Sequence, residues 1–178
     1  NPGTTVSVVG LLAAYPVRRG EWERGTQRAM SKALSVVQAL VVARPGVRFR
    51  VVHFKDGGRG PQTEVLLAST GSGDVQRAFC EAYGAADKLK ASTAVVGWCG
   101  CATTLRLWHA PEASRRAADR QLVVYAGRPV DMPRLVRRLN DTWRRARDGM
   151  RRDGQTADAS LFPVVLVYIE PDRNAPPP

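Results

Sequence analysis

The chain alternates short apolar runs with longer amphipathic stretches, and their spacing lays out an order of strands and helices. Thr5 to Leu12 is an almost unbroken apolar run of strand length, relieved only at Ser7 and Gly10, which predicts a strand buried on both faces. After an expected turn at Arg18-Arg19-Gly20, Ala29, Ala33, Val37, Leu40 and Val41 recur at helical spacing until Arg44-Pro45-Gly46 stops the pattern. One long helix follows. Val47 to Phe54 alternates as a strand, Asp56 to Pro61 is a glycine-rich turn, and Glu64 to Ala68 supplies a second strand, so a hairpin is expected. Ser72 or Asp74 can set a side-chain oxygen over the free N–H groups that open a helix, which runs to Tyr83 and is ended by Gly84.

The segment Thr93 to Trp108 carries two signals. Val95-Val96 and the interruptions at Gly97 and Gly100 suit a strand, whereas Val96, Cys99, Thr103 and Leu107 share one helical face; helix is favoured. Gln121 to Ala126 is a short strand, and Gly127-Arg128-Pro129 turns the chain into a helix that begins near Met132 or Pro133. Leu135, Leu139, Trp143, Ala146 and Met150 mark the buried stripe of that helix. Val164 to Ile169 is the last strand, and Pro171 to Pro178 extends as a tail. Apolar strands separated by amphipathic helices imply a doubly wound α/β architecture, a mostly parallel sheet with one antiparallel edge strand and helices on both faces.

With 178 residues, 44% apolar and 24% charged, the chain matches a single globular domain rather than a disordered or disulfide-dense one. No run approaches the ~18 apolar residues of a membrane span, and Asn1-Pro2-Gly3 opens without Met or a charged leader. A soluble piece of a longer or processed chain is expected, located inside the cell, in cytoplasm, nucleus or both. Three cysteines, Cys80, Cys99 and Cys101, lack metal or redox spacing and suit free thiols in a reducing compartment.

The balance of 27 basic against 16 acidic residues leaves +11, carried by 23 Arg and only 4 Lys. Such a field attracts phosphates and acidic proteins alike. Its densest segment is the helix of residues 134–152. There Arg134, Arg137, Arg138, Arg144, Arg145, Arg151 and Arg152 avoid the apolar stripe and form an outer basic face, crossed by expected i,i+4 pairs Arg137–Asp141 and Arg144–Asp148. That face is a solvated surface or a docking site for an acidic protein or nucleic acid.

Chemistry at the strand ends is sparse. Gly10-Leu11-Leu12-Ala13-Ala14 has neither a phosphate-cradling pattern nor an oxygen for a cation, and Gly71-Ser72-Gly73-Asp74 lacks the Lys-Ser/Thr pair of a nucleotide loop. His53 reads as a structural imidazole, and no local signature sets a nucleophile near His109. Trp98, Trp108 and Trp143 sit on apolar stripes as core or interface anchors. No catalytic residue, metal ligand or cofactor site is assigned, and the chain is read as a non-enzyme.

Thr4-Thr5-Val6-Ser7-Val8-Val9, then Tyr15, Arg18 or Arg19, Gly20-Glu21-Trp22 and the helix after Thr26 resemble the von Willebrand factor A domain of the proteasome regulatory particle's ubiquitin-receptor subunit. Thr63-Glu64-Val65-Leu66 and Gln121 to Val130 extend the resemblance. It implies one A-type domain over residues 1–170, with 171–178 as a proline-rich tail, acting as a metal-free docking module in a large complex. Leu11 and Leu12 replace the cation site, and they, with Tyr15, Arg18, Arg19 and Trp22, are the implied partner-binding residues. The ubiquitin-binding helices of that family have no counterpart here. Val51 to Gly57 is also similar to the A-domain subunits of the general transcription and DNA-repair factor, an alternative scaffold role. A third reading is a basic nucleic-acid-binding module acting through Arg134 to Arg152.

Overall fold

The computed structural model describes residues 4–57, 60–84, 89–98, 101–152 and 162–171. The chain divides into two compact units, Asn1–Val37 and Gln38–Pro178, and one helix runs from the first into the second.

In the first unit, the run from Thr5 is not a strand. Residues 4–9 form no regular element, and turns closed by Ala13 N–H to Gly10 O (2.8 Å) and Tyr15 N–H to Leu12 O (2.9 Å) follow. A β-prone run becomes a strand only against a paired neighbour, and the described part of this unit offers none. Val6 and Val9 are accordingly 81% and 93% exposed. The expected turn at Arg18-Arg19-Gly20 lies instead inside a helix, α1 (Pro16–Arg24), which opens on Pro16 at a position needing no N–H donor. The Arg19–Glu23 pair, 2.8 Å apart at i,i+4, spans the Gly20 position.

Helix α2 (Thr26–Ala43) matches the expected long helix, and its end in the second unit is sealed, with Val41, Val42 and Ala43 buried. The expected hairpin is present as β1 (Arg50–Gly57) and β2 (Gly60–Ala68), paired antiparallel in a sheet of their own. Helix α3 (Val75–Tyr83) is capped as its sequence predicts: the Asp74 carboxylate accepts from Arg77 N–H at 2.6 Å, and Gly84 takes the left-handed conformation at φ +61°.

The segment expected as a helix over Thr93 to Trp108 is two strands, β3 (Lys90–Trp98) and β4 (Cys101–Arg115), paired antiparallel. Closely spaced β-branched residues pack well on a pleated surface, and this outweighs the coincidental i,i+4 apolar spacing. Strand β5 (Gln121–Tyr125) turns at Ala126-Gly127, both with positive φ (47° and 74°), into the short edge strand β6 (Arg128–Val130). The turn therefore falls one residue earlier than the Gly127-Arg128-Pro129 expected. Helix α4 (Pro133–Arg152) and strand β7 (Phe162–Pro171) complete the unit.

The larger sheet has the order β3-β4-β7-β5-β6, in which only β5 and β7 run parallel. A mostly parallel, A-type sheet is thus replaced by a mixed one, because the chain makes hairpins where crossover helices were expected. Strand β7 lies at its centre with residues 163–169 all buried. One face carries Leu105, Leu107, Val123, Val165, Val167 and Ile169, against which α4 packs Leu135, Val136 and Leu139. On the other, Tyr168 meets the ring of Trp108 edge-on at 4.8 Å, and its hydroxyl donates to Val42 O at the end of α2.

Candidate nucleic-acid interface

Helix α4 is positioned by its own sequence pattern. Leu135, Val136 and Leu139 bury one stripe, which turns the opposite stripe outward. Arg134, Arg137, Arg138, Arg144 and Arg145 are all exposed on that outer side. Arg151 and Arg152 close the helix. Arg147 lies between the two faces, its guanidinium 5.5 Å above the Trp143 ring, where stacking covers the indole and keeps the charge near water.

Of the two expected acid–base pairs, neither forms as written. The Asp141 carboxylate stands 3.5 Å from Arg144, one turn along at i,i+3, rather than from Arg137, and among the described residues Asp148 has no ion pair. At that distance on an exposed surface the pair neutralises little, so most of the arginine charge remains available.

The helix is locked to the sheet by an amide pair that periodicity does not reveal. Gln121 Nε2 donates to Asn140 Oδ1 at 2.6 Å and Asn140 Nδ2 returns to Gln121 Oε1 at 3.1 Å. The second Gln121 proton reaches Pro163 O at 3.3 Å, joining β5, α4 and β7 at one point. Nothing in the local pattern of either residue couples them, since they meet only when α4 crosses the sheet.

The other residues considered from sequence are dispersed. Leu11, Tyr15, Arg18, Arg19 and Trp22 are exposed in the first unit and Leu12 is half-buried; Arg18 stacks 5.5 Å from the Tyr15 ring. His53 pairs with Glu64 across the β1–β2 hairpin, while His109 lies on β4 of the other sheet, so the two imidazoles are not brought together. Cys80 lies on α3, half-buried. No group of three or more metal-ligating side chains occurs among the described residues, and no helix there is long and apolar enough to cross a membrane. The tail beyond Pro171 lies outside the described residues.

An open cleft of about 1020 Å³ lies between the α2–β1 connection and the ends of β4, β5 and β7. It is lined by Arg44 and by the Arg106–Glu170 pair, 3.1 Å apart. The described residues thus combine a mixed sheet with a basic helix held to it by the Gln121–Asn140 pair.

Comparison with known proteins finds similarity to DNA mismatch repair proteins. The chain is 30% identical over 146 residues to the DNA mismatch repair protein PMS1 of Arabidopsis thaliana, covering 80% of this chain and 15% of the relative. It is 28% identical over 145 residues to pms1 of Schizosaccharomyces pombe, covering 80% and 17%, and 24% identical over 170 residues to the mismatch repair endonuclease PMS2 of Gallus gallus, covering 79% and 18%. The chain therefore spans less than a fifth of the length of these curated relatives. The solved N-terminal domain of a DNA repair protein superposes with a TM-score of 0.71 over 89% of this chain and 47% of that one, at 18% identity, so the two share a fold. No family model matches.

These similarities overturn the resemblance to the proteasomal von Willebrand factor A domain, and with it the expected place in the proteasome and in ubiquitin-dependent degradation. The motifs behind that resemblance were short apolar strands and turns, which unrelated α/β folds share.

Proposed function

We propose that this chain is a segment of a PMS-type DNA mismatch repair protein, and that the outer face of α4 holds the phosphate backbone of DNA. The observation that carries the reading is the row of exposed arginines on a helix pinned by Gln121–Asn140, in a chain whose relatives are named for DNA mismatch repair. A helix of 20 residues is about 30 Å long, close to one turn of duplex, so arginines spread along it reach successive phosphates. Guanidinium groups suit that task because they donate in a planar fork and stay charged. The segment binds and carries out no reaction; the endonuclease activity in the name of the chicken relative belongs to that protein.

The test is anisotropy of a fluorescein-labelled mixed-sequence duplex across a salt series. About five arginine–phosphate contacts give a log–log slope of roughly −4 to −5. Arg137→Glu with Arg144→Glu should weaken binding at least tenfold and flatten the slope. A flat salt response, or a double variant that binds like the parent, overturns the reading.

A second observation favours a protein contact on the first unit. Val6, Val8, Val9, Leu11, Tyr15 and Trp22 leave large apolar side chains in water. On this reading Leu11, Leu12, Tyr15, Arg18, Arg19 and Trp22 meet a protein partner within a repair assembly. Leu12→Asp should reduce co-purification of that partner while the circular dichroism spectrum is unchanged; unchanged co-purification counts against it.

A further inference from the structure

A groove of about 360 Å³ runs along the flank of α4 and borders the outer arginine face at Arg138. Its floor is apolar: Leu107 from β4, Val165 from β7, and Leu139 and Trp143 from the helix. Its rim on α4 is the row Arg138, Thr142 and Ala146, spaced i, i+4 and i+8 and exposed throughout. His109 closes the β4 side.

Two features show what such a groove lacks. The indole Nε1 of Trp143 is sealed from solvent without an acceptor, a state that is costly when it persists. No Asp or Glu is among the described lining residues, whose charged member is Arg138. The wall therefore supplies donors and positive charge around an apolar floor, and its complement is an apolar side chain carried with acceptors and negative charge.

We infer that this groove takes a short acidic segment of a partner protein. An apolar anchor fills the floor, the Trp143 ring turns so that its Nε1 donates to a carbonyl or carboxylate oxygen, and flanking Asp or Glu residues meet Arg138 and the neighbouring basic face. A volume near the lower end of the ~300–1,000 Å³ of small-molecule sites suits one or two large side chains. The inference does not depend on DNA binding by the outer face.

The experiment uses the whole chain labelled with nitrogen-15 and a fluorescein dodecapeptide carrying Leu and Phe three residues apart among glutamates. The comparison peptide replaces every glutamate with lysine. The acidic peptide should bind at least tenfold more tightly and shift the Trp143 indole N–H resonance downfield. Ala146→Phe and Thr142→Phe, both at exposed rim positions and both uncharged, should each lower peptide affinity at least tenfold while DNA anisotropy stays as in the parent. An unmoved Trp143 resonance at saturating peptide, or equal binding of the two peptides, overturns the inference. It is also overturned if duplex DNA alone moves that resonance, or if the chain self-associates in a manner Ala146→Phe abolishes, which assigns the groove to a second copy.

Discussion

The hydroxyl of Tyr168, on the central strand β7, donates to the carbonyl oxygen of Val42 in the last turn of α2, 126 residues away in sequence. The final carbonyls of a helix have no partner within it, so this bond satisfies a group that is otherwise orphaned in a fully buried residue. Burial, helped by the nearby Glu170 carboxylate, pushes the phenol pKa well above its ordinary range. Tyr168→Phe should destabilise the protein by about 1–3 kcal/mol, read as a lower denaturant midpoint at unchanged slope. Because the folded pKa is raised, the phenol's contribution is complete below the unfolded value of about 10 and declines as pH rises beyond it. The Phe variant should lose that alkaline decline.

The Gln121–Asn140 amide pair is reciprocal, so cutting one side strands the other. Asn140→Leu leaves the half-buried Gln121 amide without its main partner and should cost about 1–3 kcal/mol. Replacing both by Leu should recover part of that loss, and a double-mutant cycle measures the coupling.

Ala126 holds φ at +47° in the two-residue β5–β6 turn, a region where a Cβ crowds the backbone. The next position is Gly127, and together they make the turn with positive φ at both central residues that matches strand twist. Ala126→Gly should therefore stabilise by about 0.5–1 kcal/mol, seen as a raised thermal midpoint. An unchanged or lower midpoint contradicts it.

Glu81 on α3 feels two opposed influences. Desolvation is the largest single one and raises its pKa, but hydrogen bonds from Thr70 N–H (2.9 Å) and Oγ1 (2.8 Å), with Arg77 at 3.1 Å, outweigh it and hold the carboxyl below its ordinary 4.5. Its folded pKa is depressed, so its stabilisation is present above 4.5 and lost as pH falls through the folded value. Glu81→Gln should show a shallower acid-side loss of stability than the parent.

Asp141 sits within the arginine face and stands 3.5 Å from Arg144. Removing its charge frees that guanidinium for phosphate. Asp141→Asn should raise duplex affinity about two- to fivefold, the worth of an exposed ion pair of roughly 0.5–1 kcal/mol. A weaker-binding Asn variant would contradict the proposed role of the face.

What could be read along the chain was whatever a few consecutive residues decide. The Leu135, Leu139 and Trp143 part of the α4 stripe, though not Ala146, which is exposed, the end of α2 at Arg44-Pro45-Gly46, the Asp74 cap with its Gly84 stop and the β1–β2 hairpin all follow from local spacing and capping chemistry. The basic outer face was equally legible, because burying Leu135 and Leu139 leaves the intervening arginines only one side on which to lie. Short apolar runs were another matter. Thr93 to Trp108 fits either period, and Thr5 to Leu12 is strand-like only if something pairs with it. The order β3-β4-β7-β5-β6, the meeting of Gln121 with Asn140 and the groove around Trp143 depend on contacts between distant segments, whose energies no window of neighbouring residues contains.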